Sequence, residues 1–285
     1  MFGGLALHRN LLAATGPLCH GEVHLFDLAA RRRVAAFALP PGDHGVADAA
    51  GIAFGAHGEL LVADPQNHRV CRTSVFGRLA ASHGEAPPAR GDRGRDRPGV
   101  LEFPVAVAVD PIHHTWFVAG GELPRRCAVQ CATPEGAGLR VVPSLGQPGA
   151  EYGAPRGLWC DRHGLLVADT LHRRLQRFRL DGTFVATVPC RGQPVAVASA
   201  LGHCFYLTSA PRAELHGVHL DGAPLPVPAA CRAALDQPIA LTADAAGSLY
   251  VLDRCGERVL RLQPDLGTAE VLFDVHAAEA RWGPR

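Results

Sequence analysis

The sequence predicts an all-β fold: a six-bladed β-propeller of four-stranded antiparallel blades over residues 1–275, with a short tail at 276–285. Three observations carry this expectation. The segments GELLVADPQNHRVCR (58–72), GLLVADTLHRRLQRF (164–178) and GSLYVLDRCGERVLRL (247–262) repeat one plan of turn glycine, apolar strand, Asp, short polar loop and second strand. Fainter copies at 10–26, 115–129 and 204–220 place Thr15, Asp64, Gly120, Asp169, Ser209 and Asp253 at one equivalent position, with spacings of 49, 56, 49, 40 and 44 residues. Finally, short apolar runs punctuated by Gly, Pro and Asp turns fill each repeat, about four runs to a unit, and no long helical periodicity competes with them.

The elements follow in order. Unit one opens with GLALH from Gly4, and the later units open with GIAFG from Gly51, VAVAVD ending at Asp110, GLWCD from Gly157, VAVAS from Val195 and IALTAD from Ile239. A fourth strand closes most units, as in RRVAAFAL (32–39), TFVATV (183–188) and EVLF (270–273). Only fourteen residues precede Thr15, enough for two strands, so blade six should be completed by its own EVLFD (270–274) and closed onto blade one by side-chain packing alone.

Composition narrows the class further. With 47% hydrophobic and 19% charged residues the chain has the apolar content of a folded domain, and no apolar run approaches the ~20 residues of a spanning helix. No membrane partner is expected. The start, MFGGLALHRN, lacks a basic segment ahead of an apolar core, so an unprocessed, cytoplasmic protein is the expectation. A net charge of +1 gives no overall field toward nucleic acid. Every basic side chain is Arg and Ile occurs only at 52, 112 and 239, a bias that reads as GC-rich codon usage. Nine Cys at irregular spacing fit reduced core thiols better than a disulfide framework.

The strings LLVADPQNHRV and LLVADTLHRRLQRF resemble NHL repeats, and FPVAVAVD (103–110) and GAPRGLWCD (153–161) resemble the segment that leads into each blade. The likeness is strong in units two, four and six and rests on phase alone in the others. It implies the propeller fold firmly and function loosely, because NHL-like propellers include RNA-binding and protein-binding modules, lactonases and lyases.

Asp64, Asp169 and Asp253 are read as structural, each pairing across its loop with Arg69, Arg174 or Arg258. His8, His57, His113, His114, His163 and His203 stand at the turn between the first two strands and are read as solvated turn residues on one face. Cys127 and Cys131 lie four apart on a strand, too far for one zinc. The Arg-rich stretch 89–98 reads as a solvated excursion. At the channel mouth the equivalent positions are Ala50, Val105, Arg156, Val195 and Ile239, apolar except Arg156, with Glu102, Gln193 and Gln237 nearby.

That mouth offers no converging ligands or acid and base, and neither G-x-S-x-G nor a P-loop occurs. No catalytic residue, cofactor or metal is therefore assigned. The favoured reading is a noncatalytic scaffold binding a protein partner. A metal-dependent lactonase-like or lyase-like enzyme and a single-stranded RNA binder, with Trp116 or Trp159 as stacking platforms, remain as alternatives. Internal symmetry should break where something specific is recognised, which favours the face bearing the second-to-third-strand loops. Around Arg156 that face would gather Asn67, His68, Arg69, Glu122, Arg125, His172, Arg173, Arg212, Glu214, Arg254 and Glu257, with Gln193 and Gln237.

Overall fold

The computed structural model describes the chain except residues 1–2, 17–20, 88–97, 122–126, 138–139, 148–149, 210–212, 254–257 and 275–285. The excursion at 89–98 and the tail at 276–285 thus fall wholly or almost wholly outside the described residues. Blade 1 comprises β1 (Gly4–His8), β2 (Leu11–Thr15), β3 (Glu22–Asp27) and β4 (Arg32–Ala38). Blade 2 comprises β5 (Ile52–Phe54), β6 (Leu60–Asp64), β7 (Arg69–Thr73) and β8 (Leu79–His83), and blade 3 β9 (Pro104–Val109), β10 (Trp116–Gly120), β11 (Ala128–Ala132) and β12 (Arg140–Val142). Blade 4 comprises β13 (Pro155–Asp161), β14 (Gly164–Asp169), β15 (Arg174–Phe178) and β16 (Phe184–Pro189). Blade 5 comprises β17 (Pro194–Ala200), β18 (His203–Thr208), β19 (Leu215–Val218) and β20 (Pro224–Leu225), followed by a short helix α1 (Ala229–Ala234). Blade 6 comprises β21 (Pro238–Ala243), β22 (Leu249–Asp253), β23 (Arg258–Leu262) and β24 (Ala269–Asp274). Each is an antiparallel four-stranded meander.

Both faces of a blade are covered by its neighbours, which is why the strands read as continuous apolar runs and not as an alternation. Adjacent residues go to opposite sides. Trp116 packs with Leu61, Ala63 and Val70 toward blade 2, while Phe117 packs with Val167 and Phe178 toward blade 4. The six apolar clusters each fill one interface between consecutive blades. Blade 6 is completed by β24, as expected, and the seam to blade 1 holds Leu5, Leu12, Tyr250 and Leu252 with Phe26 against Phe273 at 4.4 Å between ring centroids. One detail corrects the expectation of packing alone: Arg31 also bonds Glu270 across the seam.

At the axis the first strands come too close for ordinary side chains. In the lead-in strings the residue after the channel-mouth position is Gly4, Gly51, Ala106, Gly157, Ala196 or Ala240. A Cβ on Gly51 would sit 2.5 Å from Ala106 Cα, one on Gly4 2.8 Å from Ile52 N, and one on Gly157 2.9 Å from Ala196 Cα. Buried Pro104, Pro155, Pro194 and Pro238 begin four of these strands. A one-residue register shift just after each proline lifts Val105, Arg156, Val195 and Ile239 out of the ladder.

The carboxylates ending the second strands are fully buried and act as clamps. Asp169 accepts from Gly153 N at 2.6 Å, Arg174 Nε at 2.7 Å and Gln176 Nε2 at 2.8 Å, and lies 3.0 Å from His172 Nδ1. Asp64 accepts from Asp48 N, Asn67 Nδ2 and Arg69 Nε, and Asp253 from the amides of Asp236 and Gln237 and from Arg258. Each arginine then reaches back to the connection that precedes its blade, Arg69 to Pro40 O at 2.5 Å, Arg258 to Ala234 O at 3.1 Å and Arg174 to Ser144 Oγ at 3.4 Å. The pairing expected across the loop is present, and its larger effect is to moor the lead-in connection. In blade 1 the equivalent residue is Thr15, whose Oγ1 donates to Ala50 O at the entry to blade 2.

All seven described cysteines are free thiols in or beside the core. Cys127 and Cys131 share one apolar cluster. Burial pushes Cys71 and Cys204 up to about 11 and Cys190 up to about 12. It likewise pushes the Tyr206 and Tyr250 phenols up to about 12.

Three outcomes are expected. Gly51→Ala lowers stability in urea titration by about 2–3 kcal/mol through overpacking at the axis, whereas Gly58→Ala, which meets open space but has positive φ, costs about 1 kcal/mol. Asp169→Ala removes a clamp and costs about 3 kcal/mol or more, against less than about 0.5 kcal/mol for exposed Arg173→Ala. Because the folded-state values of these thiols and phenols lie above their ordinary ones, their contribution is complete below pH 9 and falls as pH rises through 11 to 12. With no lysine to titrate in that range, denaturant midpoints at pH 7 and pH 10.5 read this loss directly.

Candidate binding face

In a meander, the second-to-third-strand loops and the connections between blades share one face, and the remaining turns share the other. The connections are unequal, from four residues at 190–193 to twenty at 84–103, with 39–51, 143–154 and 226–237 between these extremes. The opposite turns are short, from two residues at 9–10 to seven at 133–139. Specific recognition has more irregular surface to use on the first face.

The loops of blades 2 and 4 are built alike. His68 and Arg173 both take a left-handed backbone, at φ 54° and 52°, and close their loops through bonds from His68 N to Pro65 O and from Arg173 N to Thr170 O. Their side chains diverge. Asn67 is buried, its Oδ1 accepting from His44 N and its Nδ2 donating to Asp64, and Arg69 is spent on the clamp. His68 Nδ1 accepts from Phe103 N, and its ring packs edge-on to Phe103 at 5.1 Å and to His44 at 5.4 Å. In blade 4, Leu171, His172 and Arg173 are exposed. The outward-facing members of the expected set are therefore His172, Arg173, Glu214, Gln237 and Arg156. Gln193 is half-buried, with Oε1 accepting from Ser209 Oγ. Glu122, Arg125, Arg212, Arg254 and Glu257 lie outside the described residues.

At the channel mouth Ala50 and Val105 are buried, Val195 and Ile239 are half-buried, and Arg156 is exposed. The strand irregularity between Pro155 and Gly157 projects this one cation among apolar neighbours.

A cavity that the sequence did not reveal opens beside blade 3, where the repeat is broken. Gly120 replaces the clamp Asp, and a Cβ there would lie 2.6 Å from Glu102 O, so the lead-in chain occupies the space a carboxylate would need. The resulting cleft, about 340 Å³, is walled by Leu101, Val118, Val141, Val142 and Tyr152, with Glu102 and Glu151 lining it as well. Gln130 is fixed on both sides, accepting from Gly99 N and donating to Val100 O, and Tyr152 Oη donates to Val142 O. Burial, reinforced by the carboxylates of Asp169, Glu102 and Glu151, pushes the Cys127 thiol up.

On the opposite face the imidazoles do not converge. His8 and His114 line a funnel of about 320 Å³ at the other end of the channel with Phe54, Trp159 and Thr242. His57, His113 and His163 are exposed, and His203 packs on His219 at 4.7 Å. Trp116 is buried, its indole donating to Thr133 O, and Trp159 is half-buried in the funnel. Among the described residues no three His, Cys, Asp or Glu side chains form a group able to hold a metal ion.

No protein-family model matches the chain, and no curated protein matches it in sequence. Solved structures match across nearly its whole length. It is similar to a chain of a nidogen/laminin complex, at 18% identity and a TM-score of 0.64 over 94% of each chain. It is also similar to a streptogramin B lyase, at 14% identity and a TM-score of 0.62 over 94% of this chain and 81% of that one. A catalytically inactive virginiamycin B lyase from Staphylococcus aureus solved with quinupristin gives 12% identity and a TM-score of 0.56 over 90% and 93%. At these identities the likeness establishes the six-bladed propeller, a fold that serves both a binding protein and an enzyme among its neighbours.

Proposed function

We propose that this chain is a noncatalytic propeller scaffold of the NHL type that recognises a protein partner through its loop-bearing face, around Arg156. The observation that carries this reading is the division of labour on that face. The repeated carboxylates are buried and saturated by the clamp, whereas the variable connections and the exposed cations Arg156 and Arg173 are not part of it. Guanidinium groups at the edge of apolar ground suit bidentate contact with carboxylates of a partner. The blade 3 cleft adds an apolar recess on the same face for a protruding side chain. The nidogen neighbour, solved in complex with laminin, is consistent with a propeller used to hold another protein. RNA recognition is less well supported, since neither Trp116 nor Trp159 stands exposed for base stacking.

The test is affinity capture from the native organism, read by mass spectrometry, with wild-type and variant protein. The double variant Arg156→Glu and Arg173→Glu should lose a captured partner at least about tenfold while keeping its melting temperature. His57→Ala with His163→Ala, on the opposite face, should retain it. The reverse pattern would place recognition on the other face, and recovery of RNA in place of protein would replace this reading.

A further inference from the structure

At the end of the channel opposite Arg156, one position of the repeat breaks its own rule. Two residues beyond the small residue at the axis, the first strands of blades 1, 2, 3, 5 and 6 carry Ala6, Ala53, Ala108, Ala198 and Thr242, whereas blade 4 carries Trp159. The small residues leave space around the axis, and Trp159 enters it. Its ring packs against the cluster between blades 4 and 5 and also against the one between blades 5 and 6, so it reaches across the first strand of blade 5. The indole N–H donates to Asp161 Oδ2 at 3.4 Å, and Asp161 Oδ1 accepts from His163 N at 2.7 Å, which ties the ring to the turn of its own blade.

In a ring of six, blade 2 stands across the axis from blade 5, and there the first strand ends in Phe54. Phe54 is half-buried, with its ring against the His8 imidazole at 5.4 Å between centroids. The funnel of about 320 Å³ thus has two aromatic walls on opposite sides, Trp159 on one and Phe54 with His8 on the other. Leu7, Val109 and Leu158 complete its apolar lining, while Thr242 and His114 bring a hydroxyl and an imidazole. Among the described residues that line it there is no Arg, Asp or Glu. A charged guest would be stripped of water with no counter-ion beside it, at a cost that apolar contact does not return. A planar ring, by contrast, gains an aromatic face on either side. The volume falls at the small end of the ~300–1,000 Å³ range of small-molecule sites.

We propose that this funnel is a binding site for a small uncharged molecule with a planar aromatic system of one or two fused rings, held between Trp159 and Phe54 with its polar edge toward Thr242 and His114. Residues of the adjoining turns, Gly55, Ala56 and Pro111, line the funnel as well, which suits a free molecule better than a side chain flanked by main chain. The site lies on the face opposite Arg156 and is independent of the partner contact proposed there.

The test is isothermal titration calorimetry of the full chain at pH 7 with 2-naphthol, 2-naphthoate, 2-naphthylmethylammonium, the saturated alcohol 2-decalol, and indole against a capped pentapeptide of one tryptophan between glycines. 2-Naphthol should bind, and the anion, the cation and the saturated alcohol at least about tenfold less well. Indole should bind at least about tenfold better than the pentapeptide. Phe54→Leu and Trp159→Leu should each weaken 2-naphthol about tenfold, whereas Trp159→Phe, which keeps a ring, should stay within about threefold of wild type. Should Trp159→Leu not fold, Phe54→Leu and the ligand series on the wild-type chain decide alone. The Arg156→Glu and Arg173→Glu variant should bind 2-naphthol as wild type, so failure of the partner-face reading leaves this result untouched. Absence of 2-naphthol binding, equal binding of a charged or saturated analogue, or undiminished binding by Phe54→Leu overturns the proposal. Binding of the pentapeptide as tight as that of indole overturns it in favour of a partner's side chain.

Discussion

Six strands that meet around one axis have little room for side chains where they meet, and the remainder of this molecule is arranged around that shortage. The residues closest to the axis are Gly4, Gly51, Ala106, Gly157, Ala196 and Ala240, and at Gly51 even a methyl group would press on the neighbouring backbone. Close approach at the centre sets how the blades splay outward. The gaps between them are filled by larger side chains on the second and third strands, with Trp116, Phe178 and Tyr206 among the largest fully buried groups. Packing of this density transmits misfit, so a small change at the axis is felt along an entire interface.

The clamp follows from the same geometry. Each blade begins at the axis with a proline or small residue that cannot anchor itself by a side chain, so the approach to that strand has to be held from elsewhere. Asp64, Asp169 and Asp253 do this from the end of the second strand, using backbone amides 16 residues upstream and an arginine five downstream. A buried carboxylate with several donors is stable only while all of them are present. Where the clamp exists the approach is fixed; at Gly120 it is absent, and there the blade opens into a cleft. Variation on this face is thus concentrated where the internal repeat is least obeyed.

Much of this was legible in the sequence. The repeat gave strand order and blade count, Asp and Arg five apart gave the ion pairs, and Arg156 stood out among apolar equivalents. The unread parts have physical reasons. Pro40 and Ala234 accept from Arg69 and Arg258 across 29 and 24 residues of irregular chain, a distance over which no periodic pattern runs. Asn67 looks like a surface loop residue, yet three positions beyond Asp64 its amide falls within reach of the carboxylate and turns inward. The blade 3 cleft arises from how the lead-in chain collapses onto Gly120, which in sequence is only a weak copy of the repeat. Trp159, a stacking candidate by residue type, lines the funnel half-buried, because a register shift between Pro155 and Gly157 that no local pattern marks resets which side each later residue of the strand takes.

The seam between blades 6 and 1 has a consequence for how such a chain can change. Since every blade is woven from four consecutive strands and, among the described residues, no strand is traded across the closure, the junction of Phe26 with Phe273 is of the same kind as the five others, a packed contact between blades that are not neighbours in sequence. The connections between blades act as tethers and not as part of the weave. A ring of this construction tolerates relocation of its chain opening to another connection, and it can gain or lose a whole unit without rethreading. Heredity can then act on the blade as its natural unit of exchange.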